Sequence, residues 1–154
     1  MGPQDFQAAA SARGLALDVQ ELSASTRTAR DAAQAVGCEE RQIVKSLLFL
    51  VDGSPWLVLM RGDRRVDLAL LAQAAEAAAA TRADADRVYE ETGFAIGGVP
   101  PFGHRNPLPT LLDACLMDEP VLYAAAGGPN ALFRTNPSEL HGASSARVAC
   151  VCAK

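Results

Sequence analysis

The chain has 154 residues, of which 49% are hydrophobic and only 5% aromatic, and its formal net charge at neutral pH is -4. A chain of this length is expected to form one domain that buries about 70% of its unfolded surface, and we assign residues 1–154 to a single domain. The negative charge argues against a broad basic surface for duplex nucleic acid. No DNA partner is therefore expected, although a small contact with the end of one nucleic acid remains open.

No apolar run approaches the ~20 residues of a membrane span, and the first residues lack the basic and apolar regions of a secretory signal. We expect a cytoplasmic protein with no membrane partner. The four cysteines include no Cys-x-x-Cys pair and the two histidines complete no zinc pattern, so no metal or cofactor is predicted. Cys150 and Cys152 are expected about 7 Å apart on one face of a strand, which favours buried free thiols over a disulfide.

Helical and extended patterns alternate along the chain, which predicts a mixed α/β class. Phe6, Ala9 and Ala10 mark a first helix that ends at Gly14, and an extended segment follows over residues 15–22. The later predicted elements are a helix capped by Thr28 and ended by Gly37, a hairpin of residues 43–51 and 55–60, helices from Asp67 and from about Asp84 to Thr92, strands at 111–112, 121–126, 132–135 and 147–152, and a helix capped by Asn136.

A glycine loop, residues 93–104, has the sequence Gly-Phe-Ala-Ile-Gly-Gly-Val-Pro-Pro-Phe-Gly-His. Glycine lets another molecule approach the main chain closely, while proline fixes its own backbone angle. The combination predicts a rigid main-chain surface that can hydrogen-bond a carbonyl or phosphate oxygen, as oxyanion holes and anion-binding nests do. A wide turn between two strands explains the same residues, and at this point both interpretations stay open.

Lys45 lies inside an otherwise apolar predicted strand, where an ammonium needs a partner or a path to solvent. Either the side chain reaches solvent at the end of the strand, with its stem as apolar filler, or it serves a cleft. The next residue, Ser46, faces the other side of a regular strand. Ser46 can therefore reach the same site only near a bend or through its main chain.

Three other features are weaker candidates. Residues 127–130, Gly-Gly-Pro-Asn, form either a second main-chain wall or a hairpin turn, and we favour the turn. His104 can orient a substrate or carry a proton, but a single histidine more often satisfies a local main-chain group. Arg61, Arg64 and Arg65 are available for phosphates, although a charged turn is the simpler explanation.

Five segments, taken together, carry a resemblance to a known family: residues 32–37, 42–47, 61–67, 92–104 and 126–128. They resemble the YbaK-like aminoacyl-tRNA deacylases, which are related to the editing domain inserted in bacterial prolyl-tRNA synthetase. The matches follow the family order from about residue 28 to residue 140. Ile-Val-Lys together with Gly-Gly-Val-Pro-Pro is the most specific part of the match.

The resemblance implies a mixed, strongly curved, barrel-like sheet flanked by helices, in a domain that hydrolyses the ester of mischarged tRNA without a metal. The family lysine that holds the end of the tRNA matches Lys45, and the loop that positions the aminoacyl carbonyl matches Gly97 to Pro101. Water activated by the substrate's own ribose hydroxyl would then attack. The implied catalytic residues are Lys45, Gly97, Gly98 and Pro101, and the implied substrate-binding residues are Thr28, Ser46, Val99, Pro100, Phe102, His104, Gly127, Gly128 and Asn130.

The implied partners are the acceptor end of a mischarged tRNA, first of all tRNA(Pro), and an aminoacyl-tRNA synthetase. Residues 130–133, Asn-Ala-Leu-Phe, depart from the family, because the Cys-removing branch has an acidic residue there and the synthetase insertion has a histidine. The edited amino acid is expected to be small, such as Ala, Ser or Cys, because sterics reject larger side chains. A non-catalytic module that holds a nucleotide or tRNA end is the alternative.

Overall fold

Eight strands form one mixed sheet with five α-helices around it in the computed structural model, which describes residues 1–154. This arrangement confirms the predicted α/β class. No helix has the length and hydropathy needed to cross a membrane. The elements are α1 (Pro3–Ala12), β1 (Asp18–Glu21), α2 (Ala29–Val36), β2 (Ile43–Val51), β3 (Ser54–Arg61), α3 (Leu68–Ala74), β4 (Ala80–Arg82), α4 (Ala85–Thr92), β5 (Thr110–Asp113), β6 (Leu122–Ala125), β7 (Ala131–Thr135), α5 (Pro137–Ser144) and β8 (Arg147–Ala149), with 3₁₀ helices at Glu40–Gln42 and Ala114–Asp118.

The antiparallel hairpin of β2 and β3 lies at the centre of the sheet, whose order is β1-β7-β6-β2-β3-β5-β8. β6 runs parallel to β2, and β5 runs parallel to both β3 and β8. β4 pairs with β2 outside this path. The hairpin turns at Asp52 and Gly53, which both have positive φ, as a tight two-residue turn requires. β1 and β8 remain edge strands, so the curved sheet is not closed into a barrel.

Both faces of the sheet are buried, which explains the nearly continuous apolar sequence of its central strands. Along β3, Leu57 and Leu59 belong to a cluster that contains four of the five buried phenylalanines, all except Phe49. Val58 and Met60 point to the opposite face, where they pack with α3. A third, smaller cluster lies beneath α2. The alternation along one strand thus assigns the glycine loop and α3 to opposite faces.

Local capping signals place two helices as predicted. The Thr28 hydroxyl accepts a hydrogen bond from Asp31 N at 3.0 Å, and Gly37 ends α2 with a φ of +80°. The Asn136 side chain caps α5 in the same way, accepting from Glu139 N at 2.9 Å. These contacts satisfy main-chain groups that the helix itself leaves unpaired.

The predicted elements were wrong in two places. β4 was missed, because the preceding alanine run favours a helix, whereas pairing with β2 holds residues 80–82 extended. The last predicted strand, 147–152, ends at Ala149, because Val151 N donates to the Asp113 carboxylate instead of continuing the ladder. The expected common strand face for Cys150 and Cys152 is therefore absent. All four cysteines are free, but the expected burial is wrong, because Cys150 is exposed and Cys152 is only partly buried.

Asp113 predicts a measurable stability effect. Its carboxylate is 1% exposed and accepts from Val151 N at 2.8 Å and from Cys115 N at 3.1 Å. Asp113→Ala leaves both donors unpaired, so the free energy of unfolding should fall by about 2 to 4 kcal/mol. Asp118→Ala, at an exposed site, is the control and should change it by less than about 0.5 kcal/mol. Equal urea midpoints for the two variants would contradict this prediction.

Candidate functional site

A cavity of about 390 Å³ opens along one edge of β2, where the sheet is incomplete. On the side away from β3, β6 pairs with β2 at residues 43 and 44, and β4 pairs with it at residues 49–51. Between them, the only main-chain bond that reaches this edge from outside the named strands is Ala83 N to Leu48 O at 3.2 Å. The gap between β6 and β4 therefore exposes the middle of β2 to the cavity.

The cavity has an apolar floor and a charged rim. Its floor includes Val44, Leu48, Val88 and Val99. The cationic residues of the lining outnumber the single acidic residue, although the whole chain is acidic. The charged lining residues are Arg27, Arg30, Lys45, Arg82 and Glu40.

Ser46 presents both main-chain and side-chain polar groups at this gap. Gly62 N bonds to Ile43 O on the β3 side, whereas Ala83 N bonds to Leu48 O on the open side. Along a strand, the main-chain N–H and C=O groups of successive residues point to alternate sides. The N–H and C=O of Ser46 therefore project toward the open side, as those of Leu48 do. Its Oγ is buried and has no hydrogen-bond partner. The expectation that Ser46 reaches the site through its main chain is consistent with this register.

Lys45 donates a hydrogen bond from Nζ to the carbonyl oxygen of Arg64 and forms no salt bridge. Burial lowers the pKa of its ammonium, and the nearby positive charge of Arg82 lowers that pKa further. The carboxylates of Glu40 and Asp63 act in the opposite direction. The positive charge of Lys45 is thus held at the cavity without direct neutralisation by a carboxylate.

Three residues of the glycine loop line the cavity and have unpaired main-chain N–H groups. They are Ile96, Gly97 and Val99, and none of these N–H groups donates to any group of the protein. Gly98 differs, because its N–H donates to Ala95 O at 3.0 Å. Pro100 has no N–H to offer. Within the predicted segment from Gly97 to Pro101, only Gly97 and Val99 therefore line the cavity with an unpaired N–H group.

Gly97 cannot readily be another residue. Its φ is +94°, and a Cβ there would lie 3.0 Å from Cγ of Arg27. Gly98 faces away from the cavity, where a Cβ would lie 3.0 Å from the main chain of Gly128. Glycine is therefore required at the two positions for different reasons. Gly97 adopts a positive φ, whereas Gly98 contacts the main chain of Gly128 closely.

Several predicted substrate-binding residues do not line the cavity. Phe102 is 4% exposed and packs against Phe6, with ring centroids 4.9 Å apart. His104 Nε2 lies 2.7 Å from Pro100 O, and burial lowers the pKa of its imidazole. Asn130 Nδ2 donates to Leu22 O at 2.8 Å. Their contacts hold the loop and its surroundings, as the alternative interpretation of His104 anticipated.

Of the remaining predicted residues, one lines the cavity and the others lie in the loop and turn around it. Thr28 lines the cavity while it caps α2. Pro100 and Pro101 are buried in the loop behind the cavity. Gly127 and Gly128 lie in the turn that joins β6 to β7, which agrees with the favoured interpretation of residues 127–130. Their part in substrate binding stays a prediction.

Most of the lining residues were not predicted as site residues, and three arginines and one exposed apolar residue are the most prominent of these. Arg27, Arg30 and Arg82 lie on the rim, and Ile96 is a 45% exposed apolar side chain at the loop. Arg82 had no usable signal, because β4 itself was missed. Arg27 directly precedes the predicted cap Thr28, and Ile96 lies inside the glycine loop, so both had a sequence signal in hindsight.

One group of potential metal ligands lies outside the cavity. The ligand atoms of Asp113, Cys115 and Cys152 are within 4.8 Å of one another. Both Asp113 oxygens already accept main-chain N–H groups. Burial, followed by the neighbouring Asp113 carboxylate, raises the pKa of the Cys115 thiol to about 12. We therefore assign this cluster to the packing of the chain end rather than to a metal centre.

Comparison with known proteins identifies the family. Residues 23–142 match the model of the aminoacyl-tRNA editing domain. The chain belongs to the aminoacyl-tRNA editing domain family. This result confirms the resemblance carried by the five sequence segments.

Similarities to individual proteins support the assignment to this family. The chain is 32% identical over 132 residues to the uncharacterized protein YwhH of Bacillus subtilis, covering 85% of this chain and 83% of YwhH. The proline–tRNA ligase of Lactobacillus gasseri is 40% identical over 62 residues, which are 40% of this chain but only 11% of the ligase. A crystal structure described provisionally as a trans-editing enzyme for prolyl tRNA synthetase shares 46% identity and a TM-score of 0.92, covering 99% of this chain and 97% of that one. Together these findings support an editing function on aminoacyl-tRNA.

The conformation of Gly97 predicts that Gly97→Ala destabilises the editing domain. A non-glycine residue at a φ of +94° is strained, so the free energy of unfolding should fall by about 1 to 3 kcal/mol. Gly142→Ala is the matched control, because a Cβ there meets nothing within 4 Å in the helix α5 and alanine should stabilise it by up to about 1 kcal/mol. Urea denaturation of both variants checks the prediction. It fails if Gly97→Ala is as stable as the wild type.

Proposed function

We propose that this editing domain hydrolyses the ester bond of a tRNA mischarged with a small amino acid, acting in trans on tRNA(Pro). The observation that carries the proposal is the pair of unpaired N–H groups, from Gly97 and Val99, on the cavity that also contains Lys45. Ester hydrolysis develops negative charge on the carbonyl oxygen, and preorganised N–H donors stabilise that charge. Serine proteases use the same principle with two main-chain donors.

The charged rim suits the acceptor end of tRNA. Arg27, Arg30 and Arg82 line the cavity and form no salt bridge, so their guanidinium groups are available for phosphate oxygens. Lys45 adds a fourth cation to the lining. The terminal nucleotide carries the aminoacyl ester, and cationic side chains around an apolar cavity favour binding of that end alone. This supports tRNA as the partner without a broad basic surface.

The nucleophile is proposed to be water activated by the ribose hydroxyl next to the ester. Apart from arginine, the titratable residues that line the cavity are Lys45 and Glu40. Lys45 is a hydrogen-bond donor to Arg64 O, which suits the binding of an oxygen atom rather than the removal of a proton. Glu40 is exposed. Glu40→Gln therefore tests substrate assistance, since activity within about three-fold of wild type excludes Glu40 as the base.

The floor of the cavity supports a small amino acid. Val44, Leu48, Val88 and Val99 are branched apolar residues that limit the room for a side chain. Such a pocket separates substrates that differ by one methylene by only about 1 to 3 kcal/mol. Ala, Ser and Cys therefore remain the proposed candidates, and a synthetase partner that presents the tRNA would add selectivity.

The deciding experiment measures turnover on a panel of labelled aminoacyl-tRNAs. Ala-, Ser- and Cys-tRNA(Pro) are incubated with the protein, with correctly charged Pro-tRNA(Pro) as the control. Release of a small amino acid in excess over protein supports the deacylase. Tight binding without release supports the alternative, a non-catalytic module that holds a nucleotide or tRNA end.

Lys45→Ala is predicted to lower kcat/KM for deacylation by about 100-fold or more, because it removes a cation from the reacting end of the substrate. The fold should survive, since no carboxylate loses a paired partner. The matched control is Lys154→Ala, which removes the only other lysine of the chain. Circular dichroism establishes that both variants are folded. Activity of folded Lys45→Ala within a few-fold of wild type would remove Lys45 from the mechanism.

Binding of tRNA is predicted to depend weakly on salt. If two or three phosphates are neutralised, the slope of log affinity against log salt should be about -1.5 to -2. Arg82→Gln should make the slope less negative by about 0.7, while Arg134→Gln, away from the cavity, should leave it unchanged. Salt titrations with intact tRNA and with an acceptor-stem minihelix supply the measurement. A slope steeper than about -5 for intact tRNA, together with loss of most of the affinity for the minihelix, would reveal a basic surface that binds the tRNA body.

A further inference from the structure

Helix α1 packs directly behind the glycine loop, although none of its residues lines the cavity. Phe6 is fully buried, and its ring centroid lies 4.9 Å from that of Phe102 in the loop and 5.1 Å from that of Phe133 in β7. One residue of α1 therefore touches both the loop and the strand that follows the 127–130 turn. The family model begins at residue 23, so α1 lies outside the matched region.

The beginning of α1 and the loop are joined by a stack of three residues without long side chains. A Cβ on Gly128 would lie 2.9 Å from Pro3 Cγ, and a Cβ on Gly98 would lie 3.0 Å from the main chain of Gly128. Pro3, Gly128 and Gly98 thus touch in sequence, at distances that leave no room for a methyl group. Gly98 lies between Gly97 and Val99, which line the cavity and have unpaired main-chain N–H groups.

The far end of the loop rests on the same helix. A Cβ on Gly103 would lie 2.8 Å from Cβ of Ala9. The Arg13 guanidinium lies 5.0 Å from the centroid of Phe102 and donates to Ala9 O at 3.0 Å. A cation over an aromatic face is attracted to it, which fixes the ring as well as the helix end. The C-terminal part of the loop is therefore seated on α1, and the middle of the loop contacts α1 through Gly128.

We propose that α1 is the positioning element of the glycine loop, and that Pro3 sets the position of the Gly97 and Val99 N–H groups through Gly128 and Gly98. The inference rests on the proposed function, because it concerns the donors assigned to the developing oxyanion. These contacts have little side-chain freedom, so a shift of Pro3 is transmitted to the loop rather than absorbed. Misplacement of a reacting geometry by about 1 Å can cost about 100-fold in rate.

A steric rescue experiment tests this proposal. Gly128 does not have a positive φ, so alanine is compatible with its backbone, and the added methyl meets Pro3 first. Gly128→Ala should lower kcat by about 10- to 100-fold while KM stays within about three-fold. In the double variant Pro3→Ala/Gly128→Ala, the opposing Cγ and Cδ are gone, and kcat should return to within about three-fold of wild type. A double variant as impaired as Gly128→Ala overturns the proposal.

A core variant separates positioning from general stability. Leu71 is fully buried in the cluster on the other face of the sheet. Leu71→Ala should be less stable but keep the wild-type kcat, whereas Phe6→Leu, a milder change in α1, should lower kcat. This pair also decides the question if Gly128→Ala does not fold. Equal kcat values for Phe6→Leu and wild type would overturn the proposal.

An NMR measurement without substrate keeps this test independent of the proposed function. The amide resonances of Gly97 and Gly98 should move in Gly128→Ala and return toward the wild-type positions in the double variant. Unchanged resonances in Gly128→Ala would overturn the positioning role. If the wild type hydrolyses no aminoacyl-tRNA, the proposed function fails, while the resonances still show whether α1 positions the loop.

Discussion

The incomplete pairing of β2 is the constraint on which the site depends. One side of this strand is paired with β3 from residue 44 to residue 51, so the hairpin is held along its whole length. On the other side, β6 pairs with the beginning of β2 and β4 pairs with its end, so the middle of β2 has no neighbouring strand. Buried main-chain groups need partners. The open groups of Ser46 must therefore meet water or a ligand, and the cavity lies where a ninth strand would otherwise pair.

A second constraint is the close approach of main chains behind the glycine loop. Gly98 and Gly128 touch without intervening side chains, and only small residues permit this contact. This explains why a motif that reads as one functional unit divides in the structure. Gly97 and Val99 face the cavity, while Phe102 and His104 use their side chains to hold the loop from behind. A residue of the motif can thus be required for activity without touching substrate.

Elements with local signals could be predicted from the sequence, and elements that depend on distant partners could not. Thr28 and Gly37 mark the ends of α2 by their own capping contacts. β4, in contrast, is extended only because it pairs with β2, and β8 is short because Asp113, 38 positions from Val151, takes the main-chain donor of that residue. The same reasoning applies to the site. Lys45 and the loop were recognisable by residue type, but the gap in β2 and the rim position of Arg82 follow from sheet register, which is not local.

The local charge of the cavity makes the proposed binding of a polyanion compatible with an acidic domain. Charges interact over about 8 Å at physiological ionic strength, so the net charge of -4 matters less at the cavity than its own arginines and Lys45. In the free protein, burial and Arg82 lower the pKa of Lys45. An anionic substrate group nearby acts in the opposite direction, because an opposite charge favours the ammonium. In the proposed function, substrate binding and the charge of Lys45 therefore reinforce each other: the ammonium attracts the acceptor end, and the bound acceptor end raises the pKa of the lysine.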